Sequence, residues 1–329
     1  MNRSLKALGL IALITLFASC KKDDDGADVT PPRDRTVQYA TEKVQIEEYM
    51  RTHYMTVDAN FNVTFDTLIS GSGHVSIWDQ TEYPRLSKEL RNLTEDNGTV
   101  VYTVHYIKLQ EGVGIAPTRA DNVKVAYRGQ LLDGTQFDYN PLGETTLNLS
   151  GTIQGWQEIL PLFRPGVYVD EPGSPNPPAY QNFGAGVMFV PSGLAYYNTV
   201  SGSVGTYEPL IFSFKMHAAE YLDGDGDGIL NINERESEFE DVFYYNTDKE
   251  AGDVTLDYTV AYKADYLPDY LDADDDGDGY PTRLETRKPQ DPQFPNAPAQ
   301  YYDFEDIPTC TINNNAVKIH LAATCQPQN

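Results

Sequence analysis

The chain has 329 residues, a length typical of about two domains, and its 40% hydrophobic content excludes wholesale disorder. Its 24 Lys and Arg face 49 Asp and Glu, and the resulting net charge of −25 argues against nucleic-acid binding, because a polyanion would be repelled. Three Cys are too few for a disulfide-framework protein. What remains is an acidic all-β or α+β chain whose acidic residues must be located.

The N-terminus has the pattern of an export signal. Arg3 and Lys6 flank the start of an apolar run at residues 7–18, which is too short to span a bilayer but suits a signal-peptide core. Small residues directly before Cys20 resemble a bacterial lipobox, in which the cysteine is acylated and becomes the mature N-terminus. We therefore predict a membrane anchor on Cys20. An ordinary secretory signal that is cleaved elsewhere is the alternative.

The segment after Cys20 is polar, charged and Pro-containing, which predicts a flexible tether over residues 21–37. The implied location is the cell envelope, with the lipid in the outer membrane and the protein facing the periplasm or the surface. Cys310 and Cys325 are then an even pair in an oxidising compartment, so we predict a disulfide between them. Two free thiols are the alternative.

Hydrophobic periodicity predicts many strands and few helices. Many strands around one short helix indicate an α+β fold, with an antiparallel sheet wrapped on that helix. The predicted elements are a helix at 41–54 with Glu42 in its first turn, strands that start at Val100 and Val123, a short helix at 155–163, and strands at 187–190 and 210–216.

Four ordered segments in the middle of the chain carry a family resemblance. They are DNVKVAYRGQLLDGTQFD (121–138), TIQGW (152–156), VPSGLAYY (190–197) and EPLIFSFKM (208–216). Together they resemble the FKBP-type peptidyl-prolyl cis-trans isomerase domain over residues 112–220, roughly a third of the chain. The resemblance implies an FKBP-like sheet on a short helix, and proline-containing polypeptides as substrates.

The chemistry that this resemblance implies needs no nucleophile and no metal. Rotation about an X–Pro bond crosses a barrier of about 18–20 kcal/mol, because amide resonance is lost in the twisted state. A water-excluding aromatic pocket can bind the twisted amide better than the planar one. Without the ordered segments, the same aromatics would be interpreted as sheet core. The resemblance assigns Trp156 to the pocket floor, Tyr127, Phe137 and Phe212 to its walls, Ile153 to one side, Tyr196 to a hydrogen bond with a substrate carbonyl, and Asp138 to a position near the twisting carbonyl.

Two departures from the family pattern lie near this site. The strand before the short helix has Leu147 and Leu149 where the family usually has an aromatic residue. A Pro-rich insertion at 167–182 is longer than a compact family member has there, and it could widen, cover or occupy the pocket. The insertion favours a second interpretation, in which the pocket binds proline segments as a chaperone without turnover.

The acid is concentrated in residues 221–285, which contain 20 Asp and Glu but 4 Lys and Arg. Two stretches there, DGDGDGILNINE and DDDGDGYPTRLE, fit the calcium-loop pattern D-x-D-x-[DN]-G-x5-E. Ca²⁺ takes six to eight hard oxygens, which alternate Asp residues on a tight loop supply. We predict one or two structural Ca²⁺, and a solvated acidic linker is the alternative. The first ligand set is Asp223, Asp225, Asp227, the Ile229 carbonyl and Glu234, and the second is Asp274, Asp276, Asp278, the Tyr280 carbonyl and Glu285.

The sequence that flanks the second loop resembles thrombospondin type 3 or dockerin-like repeats more than a helix-flanked EF-hand pair. On that resemblance Asp265, Asp269 and Asp272 are candidates for additional ligands. Small loops of this kind have little apolar core, so cation binding is expected to supply much of their folding free energy.

The predicted organisation has six parts: a lipoprotein signal peptide at 1–20, the tether at 21–37, an N-terminal extension at 38–111, an isomerase domain at 112–220, acidic calcium-binding repeats at 221–290, and a C-terminal tail with the disulfide at 291–329. The predicted function is a membrane-tethered isomerase that assists the folding of exported proteins. The alternatives are the non-catalytic chaperone and a structural lipoprotein in which calcium binding is the main property.

Overall fold

The computed structural model describes residues 31–93, 99–173, 178–235, 241–247, 267–312 and 314–325. The predicted signal peptide with Cys20, and most of the predicted tether, lie outside the described residues. In the described part of the chain, no helix is both long enough and apolar enough to cross a membrane.

The described chain has far more strands than helices. The α-helices are α1 (Arg35–Thr52), α2 (Gln154–Ile159) and α3 (Thr282–Glu285). The strands are β1 (His53–Val57), β2 (Val63–Thr67), β3 (Arg85–Leu93), β4 (Thr99–Gln110), β5 (Asn122–Leu131), β6 (Gln136–Asn140), β7 (Thr146–Asn148), β8 (Val167–Val169), β9 (Ala179–Gln181), β10 (Gly184–Val190), β11 (Leu210–Glu220), β12 (Thr309–Ile312) and β13 (Asn315–Lys318).

One antiparallel sheet organises the middle of the chain. Its strand order is β3-β4-β10-β11-β5-β6, and β7 pairs with the first residues of β5. Every residue of the central strand β10 is buried, as expected for a strand covered on both faces. The antiparallel sheet with few helices confirms the predicted α+β class. Strands β3 and β4 come from the segment predicted as an N-terminal extension, so the sheet reaches beyond residues 112–220.

Apolar side chains cover both faces of this sheet. On one face α2 packs against β5, β10 and β11, and on the other α1 and the β1–β2 hairpin pack against β4, β10 and β11. The alternation of β10 shows the division, since Met188 and Val190 face the first core and Val187 and Phe189 the second. The two cores together bury both faces of the sheet, with α2 packed against one of them.

Helix α1 begins and ends earlier than the predicted 41–54. Its N-terminus is set by Asp34, whose Oδ1 accepts a hydrogen bond from the Val37 backbone N–H at 2.9 Å. The chain enters β1 at His53, so Tyr54 lies in a strand. Glu42 therefore lies inside the helix rather than in its first turn, and it is fully buried.

The buried carboxylate of Glu42 joins α1 to the turn that follows β10. It accepts hydrogen bonds from Gln38 Nε2 at 2.7 Å, from the Ser192 backbone N–H at 2.7 Å and from the Ser192 hydroxyl. Burial raises the pKa of Glu42, although these hydrogen bonds oppose the shift. The same turn continues to Tyr196, so α1 supports a predicted site residue from behind.

Replacing Glu42 with Ala is expected to lower the free energy of unfolding by about 2–3 kcal/mol, because the buried Ser192 and Gln38 donors lose their acceptor. Glu42→Gln keeps a carbonyl acceptor and is expected to cost less. Urea denaturation measures both variants, and Glu48→Ala, exposed on the same helix, is the matched control. A Glu42→Ala value equal to that of Glu48→Ala would contradict this assignment.

A third apolar core lies under the acidic repeats. Ile229 of the first predicted calcium loop packs with Ile307, Ile319 and Ala322 of the C-terminal tail. The tail forms the β12–β13 hairpin, and a disulfide joins Cys310 to Cys325, as predicted, with a Cα–Cα distance of 6.2 Å. The tail thus supplies the apolar cover that the loop lacks by itself.

Polar contacts attach the first loop to the sheet. The Leu222 backbone N–H donates to Asp121 Oδ1 at 2.8 Å, and Asn231 Nδ2 donates to the Ala120 carbonyl at 3.3 Å. Beside them, Arg119 forms ion pairs with Glu158 on α2 and with Asp241. The residues just before β5 therefore connect the acidic repeats to α2.

Candidate functional site

The predicted pocket aromatics meet where α2 crosses β5 and β11. Trp156 is 5% exposed, and the centroid of its ring lies 5.2 Å from that of Tyr127 and 5.0 Å from that of Phe212. The Phe137 ring completes the group, at 5.5 Å from Phe212 in an edge-to-face arrangement. The structure therefore brings the predicted floor and the three predicted walls together.

Two glycines allow these elements to approach. A Cβ at Gly129 would lie 2.6 Å from Phe137 Cζ and 2.9 Å from Phe212 Cε1, so a side chain there would displace both rings. A Cβ at Gly155 would lie 2.6 Å from Val190 Cγ1, at the contact between α2 and β10. Glycine at both positions lets the rings and the helix pack closely on the sheet.

A hydrogen bond links the aromatic wall of the pocket to its rim. The Tyr127 hydroxyl donates to Asp138 Oδ2 at 2.7 Å, and Asp138 itself is exposed. Burial, and next the hydrogen bond to the Asp138 carboxylate, raise the pKa of Tyr127. Tyr127 thus remains a hydroxyl donor at neutral pH, and the position of Asp138 is fixed at the edge of the pocket.

Ile153 and Tyr196 pack against the same core and are partly buried. Ile153 precedes α2, and its carbonyl accepts the Trp156 backbone N–H at 2.9 Å, which sets the start of the helix beside the floor. Tyr196 lies in the turn that Glu42 holds through Ser192. All seven predicted pocket residues thus lie on or beside one face of the sheet, and their individual roles stay predictions.

The structure also locates the two departures from the family pattern, the leucines before α2 and the Pro-rich insertion. Leu149 is fully buried in the α2 core and Leu147 packs against it from β7, so both leucines contribute apolar surface. In the described part of the insertion, β8 and β9 form a hairpin whose Tyr180 stacks on His217 at 5.1 Å. His217 is about 16 Å along β11 from Phe212, at about 3.3 Å per residue. The described part of the insertion therefore packs near His217, away from Phe212 along β11.

The first acidic loop gathers buried carboxylates. Oxygens of Asp225, Asp227 and Glu234 lie within 4.8 Å of one another, and of an oxygen from Asp275. Asp223, predicted as a ligand, lies outside this group, and it accepts hydrogen bonds from the backbone N–H groups of Gly226 at 2.8 Å and of Gly228 at 3.1 Å. The loop has the tight turn that the pattern requires, with Gly228 at φ +102°.

The electrostatics of this group are strained without a cation. Burial, followed by repulsion from neighbouring carboxylates, raises the pKa of Glu234 to about 10 and of Asp275 to about 11. Burial, together with repulsion from Asp225 and Asp223, raises the pKa of Asp227 to about 7. Such a site favours binding either protons or a cation. The residues present fit Ca²⁺, which prefers carboxylate oxygens.

The second loop forms its own carboxylate group, with oxygens of Asp274, Asp276 and Asp278 within 4.8 Å of one another. Glu285, on α3, is 2% exposed, and neither of its carboxylate oxygens has a hydrogen-bond partner among the described residues. Burial, then repulsion from the three aspartates, raises the pKa of Glu285 to about 9. Asp274, Asp276, Asp278 and Glu285 thus form the second candidate site.

The two loops repeat the same hydrogen bonds. The Ile229 backbone N–H donates to Asp227 Oδ1 at 2.6 Å, as Tyr280 N–H does to Asp278 Oδ1 at 2.8 Å. This bond fixes the backbone at the seventh residue of each loop, Ile229 or Tyr280, whose carbonyl is predicted to bind the ion. The side chain of Asn231, the ninth residue of the first loop, is hydrogen-bonded to Gly224 and Ala120.

Sequence reasoning overlooked Asp275. It is the middle one of three consecutive aspartates that open the second loop, and it falls on a variable position of the pattern. The sequence signal that could have identified it is the extra aspartate at the second residue of the loop, because the calcium-loop pattern requires no acidic residue there. Of the candidates for additional ligands, Asp265 lies outside the described residues, Asp269 is buried near Glu234 and Asp275, and Asp272 is buried and bonds to the backbone of Asp274.

No family model matches the chain. Over 121 residues it is 33% identical to peptidyl-prolyl cis-trans isomerase Mip of Coxiella burnetii (36% of this chain, 45% of the relative) and 31% identical to the probable FKBP-type peptidyl-prolyl cis-trans isomerase FkpA of Neisseria meningitidis (36% and 38%). It is 33% identical over 117 residues to outer membrane protein MIP of Legionella longbeachae (35% and 42%). The chain spans less than half the length of these relatives. A solved peptidyl-prolyl cis-trans isomerase of Pseudomonas syringae aligns over 58% of this chain and 99% of its own, at 16% identity and a TM-score of 0.32.

Proposed function

We propose that the chain is an FKBP-type peptidyl-prolyl cis-trans isomerase that acts on proline-containing segments of exported polypeptides. The observation that carries the proposal is the aromatic group of Trp156, Tyr127, Phe137 and Phe212, with the Tyr127–Asp138 hydrogen bond at its rim. The similarity to isomerases over 121 residues supports the same assignment.

The proposed mechanism follows from the polarity of this site. The proline ring lies on the buried face of Trp156, where water is excluded, so the planar amide loses solvation that its charge-separated resonance form needs. The twisted amide has less charge separation and is favoured in such an environment. Tyr196 donates to a substrate carbonyl, and Asp138, held by Tyr127, orients polar groups near the twisting bond.

We further propose that the protein is attached to the outer membrane through a lipid on Cys20, followed by the flexible tether. The small residues directly before Cys20, which follow an apolar run, support this anchor. The outer membrane protein to which the chain is similar supports an envelope location. The clients would then be proteins that fold outside the cytoplasm.

Two structural Ca²⁺ ions complete the proposal, one for each acidic loop. The ions would neutralise the buried carboxylates of Glu234 and Glu285, which otherwise repel their neighbours. When bound, calcium supplies charge neutralisation and loop closure and takes no part in the isomerisation.

The full chain, purified in detergent, is expected to accelerate cis-trans isomerisation of a short X–Pro peptide, and a macrolide ligand of FKBP proteins is expected to block this activity. The rate is measured in a protease-free assay with a fluorescent peptide, and circular dichroism checks that the protein is folded. No rate above background from folded protein would contradict the proposed enzyme. Binding of the peptide without acceleration would instead identify the proline-binding chaperone.

A further inference from the structure

Asp275 lies in the second loop, but its side chain is grouped with the first. Its neighbours Asp274 and Asp276 belong to the second carboxylate group. An oxygen of Asp275 lies within 4.8 Å of oxygens from Asp225 and Glu234. The aspartates of this run thus alternate between the two loops, and Asp275 is the one shared with the first.

The burial of this side chain calls for a positively charged partner. Asp275 and Glu234 are each 1% exposed, and none of their four carboxylate oxygens has a hydrogen-bond partner among the described residues. A buried carboxylate without a donor is strongly unfavourable unless it is paired or coordinates a metal. Since both side chains are directed into the same group, one cation would satisfy both.

The backbone of Asp275 is held so that its side chain faces the first loop. Its N–H donates to Thr282 Oγ1 at 3.2 Å, and its carbonyl accepts the Thr247 hydroxyl at 2.7 Å. The Thr247 N–H also donates to Asp269 Oδ1 at 2.8 Å, which places a further buried carboxylate beside the group. These hydrogen bonds hold Asp275 in the position from which its side chain reaches the first carboxylate group.

We propose that Asp275 is a ligand of the cation in the first loop, so that the Ca²⁺ of the first loop also holds the second loop. Asp225, Asp227, Glu234 and Asp275 supply four carboxylates to this ion. Ca²⁺ fits such a crowded and irregular set better than Mg²⁺, which keeps several waters and requires a near-octahedral geometry. This inference rests on the proposed calcium binding and adds a ligand that the loop pattern lacks.

Calorimetric titration of the full chain with CaCl₂ tests the shared ligand. Asp225→Asn, in the first loop, and Asp278→Asn, in the second, identify which binding event belongs to which site. Asp275→Asn is expected to weaken the event that Asp225→Asn weakens, by at least tenfold, and to leave the event that Asp278→Asn weakens within threefold of the unsubstituted chain. Asp278→Asn is the matched control, because it removes a carboxylate from the same loop as Asp275.

Melting with and without calcium separates ligation from structural damage. Asp275→Asn replaces a buried carboxyl group that faces other carboxyl groups with a neutral amide, so it is expected to raise the melting temperature in chelator and to lower it in excess calcium, relative to the unsubstituted chain. A lower melting temperature under both conditions, or weakening of the event assigned to Asp278, would overturn the shared ligand. If the unsubstituted chain shows no calcium binding, the proposed loops fail as well.

Discussion

Chelating calcium from the full chain is expected to lower its melting temperature by at least about 10 °C. A ligand at a thousand times its Kd stabilises the folded state by about 4 kcal/mol for each site, and each kcal/mol shifts the melting temperature by about 2–4 °C in chains of about 150–250 residues and by somewhat less in a longer chain. The effect is large because buried carboxylates such as Glu234 and Glu285 repel their neighbours without an ion. Differential scanning calorimetry in EGTA, and after addition of CaCl₂, measures the shift.

A double variant provides the control for chelator side effects. Asp225→Asn with Asp278→Asn removes one carboxylate from each group, and in calcium it is expected to melt at a temperature well below that of the unsubstituted chain. EGTA should change its melting temperature only slightly. Addition of MgCl₂ instead of CaCl₂ should restore less stability to the unsubstituted chain. If the unsubstituted chain gave equal melting curves in calcium and in EGTA, structural calcium would be excluded.

The second large effect is expected in catalysis. Asp138→Ala should lower kcat/KM for an X–Pro peptide by about 10–100-fold, which corresponds to the loss of a hydrogen bond to a charged group. Stability should change little because Asp138 is exposed. Tyr127→Phe removes only the hydroxyl that holds Asp138 and should cost less than Asp138→Ala.

The matched control is Asp170→Ala, which removes an exposed carboxylate from the hairpin insertion. Its kcat/KM should equal that of the unsubstituted chain. If Asp138→Ala retained full activity while its urea denaturation curve was unchanged, the carboxylate at the rim would have no part in isomerisation. An equal loss for Asp170→Ala would point to a general charge effect.

Local patterns predicted the parts of this molecule that depend on short spacings. Except for Asp223, the alternate aspartates of the two loops lie in two carboxylate groups, because a tight loop brings positions two residues apart together. The pocket aromatics were predicted from the family resemblance of the ordered segments and not from their spacing, and Trp156 meets Phe212 because α2 packs across β11. The α+β class followed from the number of short alternating segments.

Other features depend on contacts that no short spacing encodes. Asp34, which caps α1, was overlooked because the hydrophobic period begins further along the helix. Glu42 and Ser192 are far apart in sequence, and only the packing of α1 behind the turn brings them together. Asp275 joins the first loop for the same reason, since the approach of one repeat to another is a property of the folded extension.

The tail that covers Ile229 also determines when the acidic extension can finish folding. Ile319 and Ala322 complete the third core, and the Ala322 N–H donates to Asp276 Oδ2 at 2.9 Å. In an exported chain that emerges N-terminus first, Ile319 arrives about 90 residues after Ile229. The sheet, whose last strand ends at Glu220, can close well before that time. The calcium extension is therefore the last part of the newly made chain to become protected from proteases.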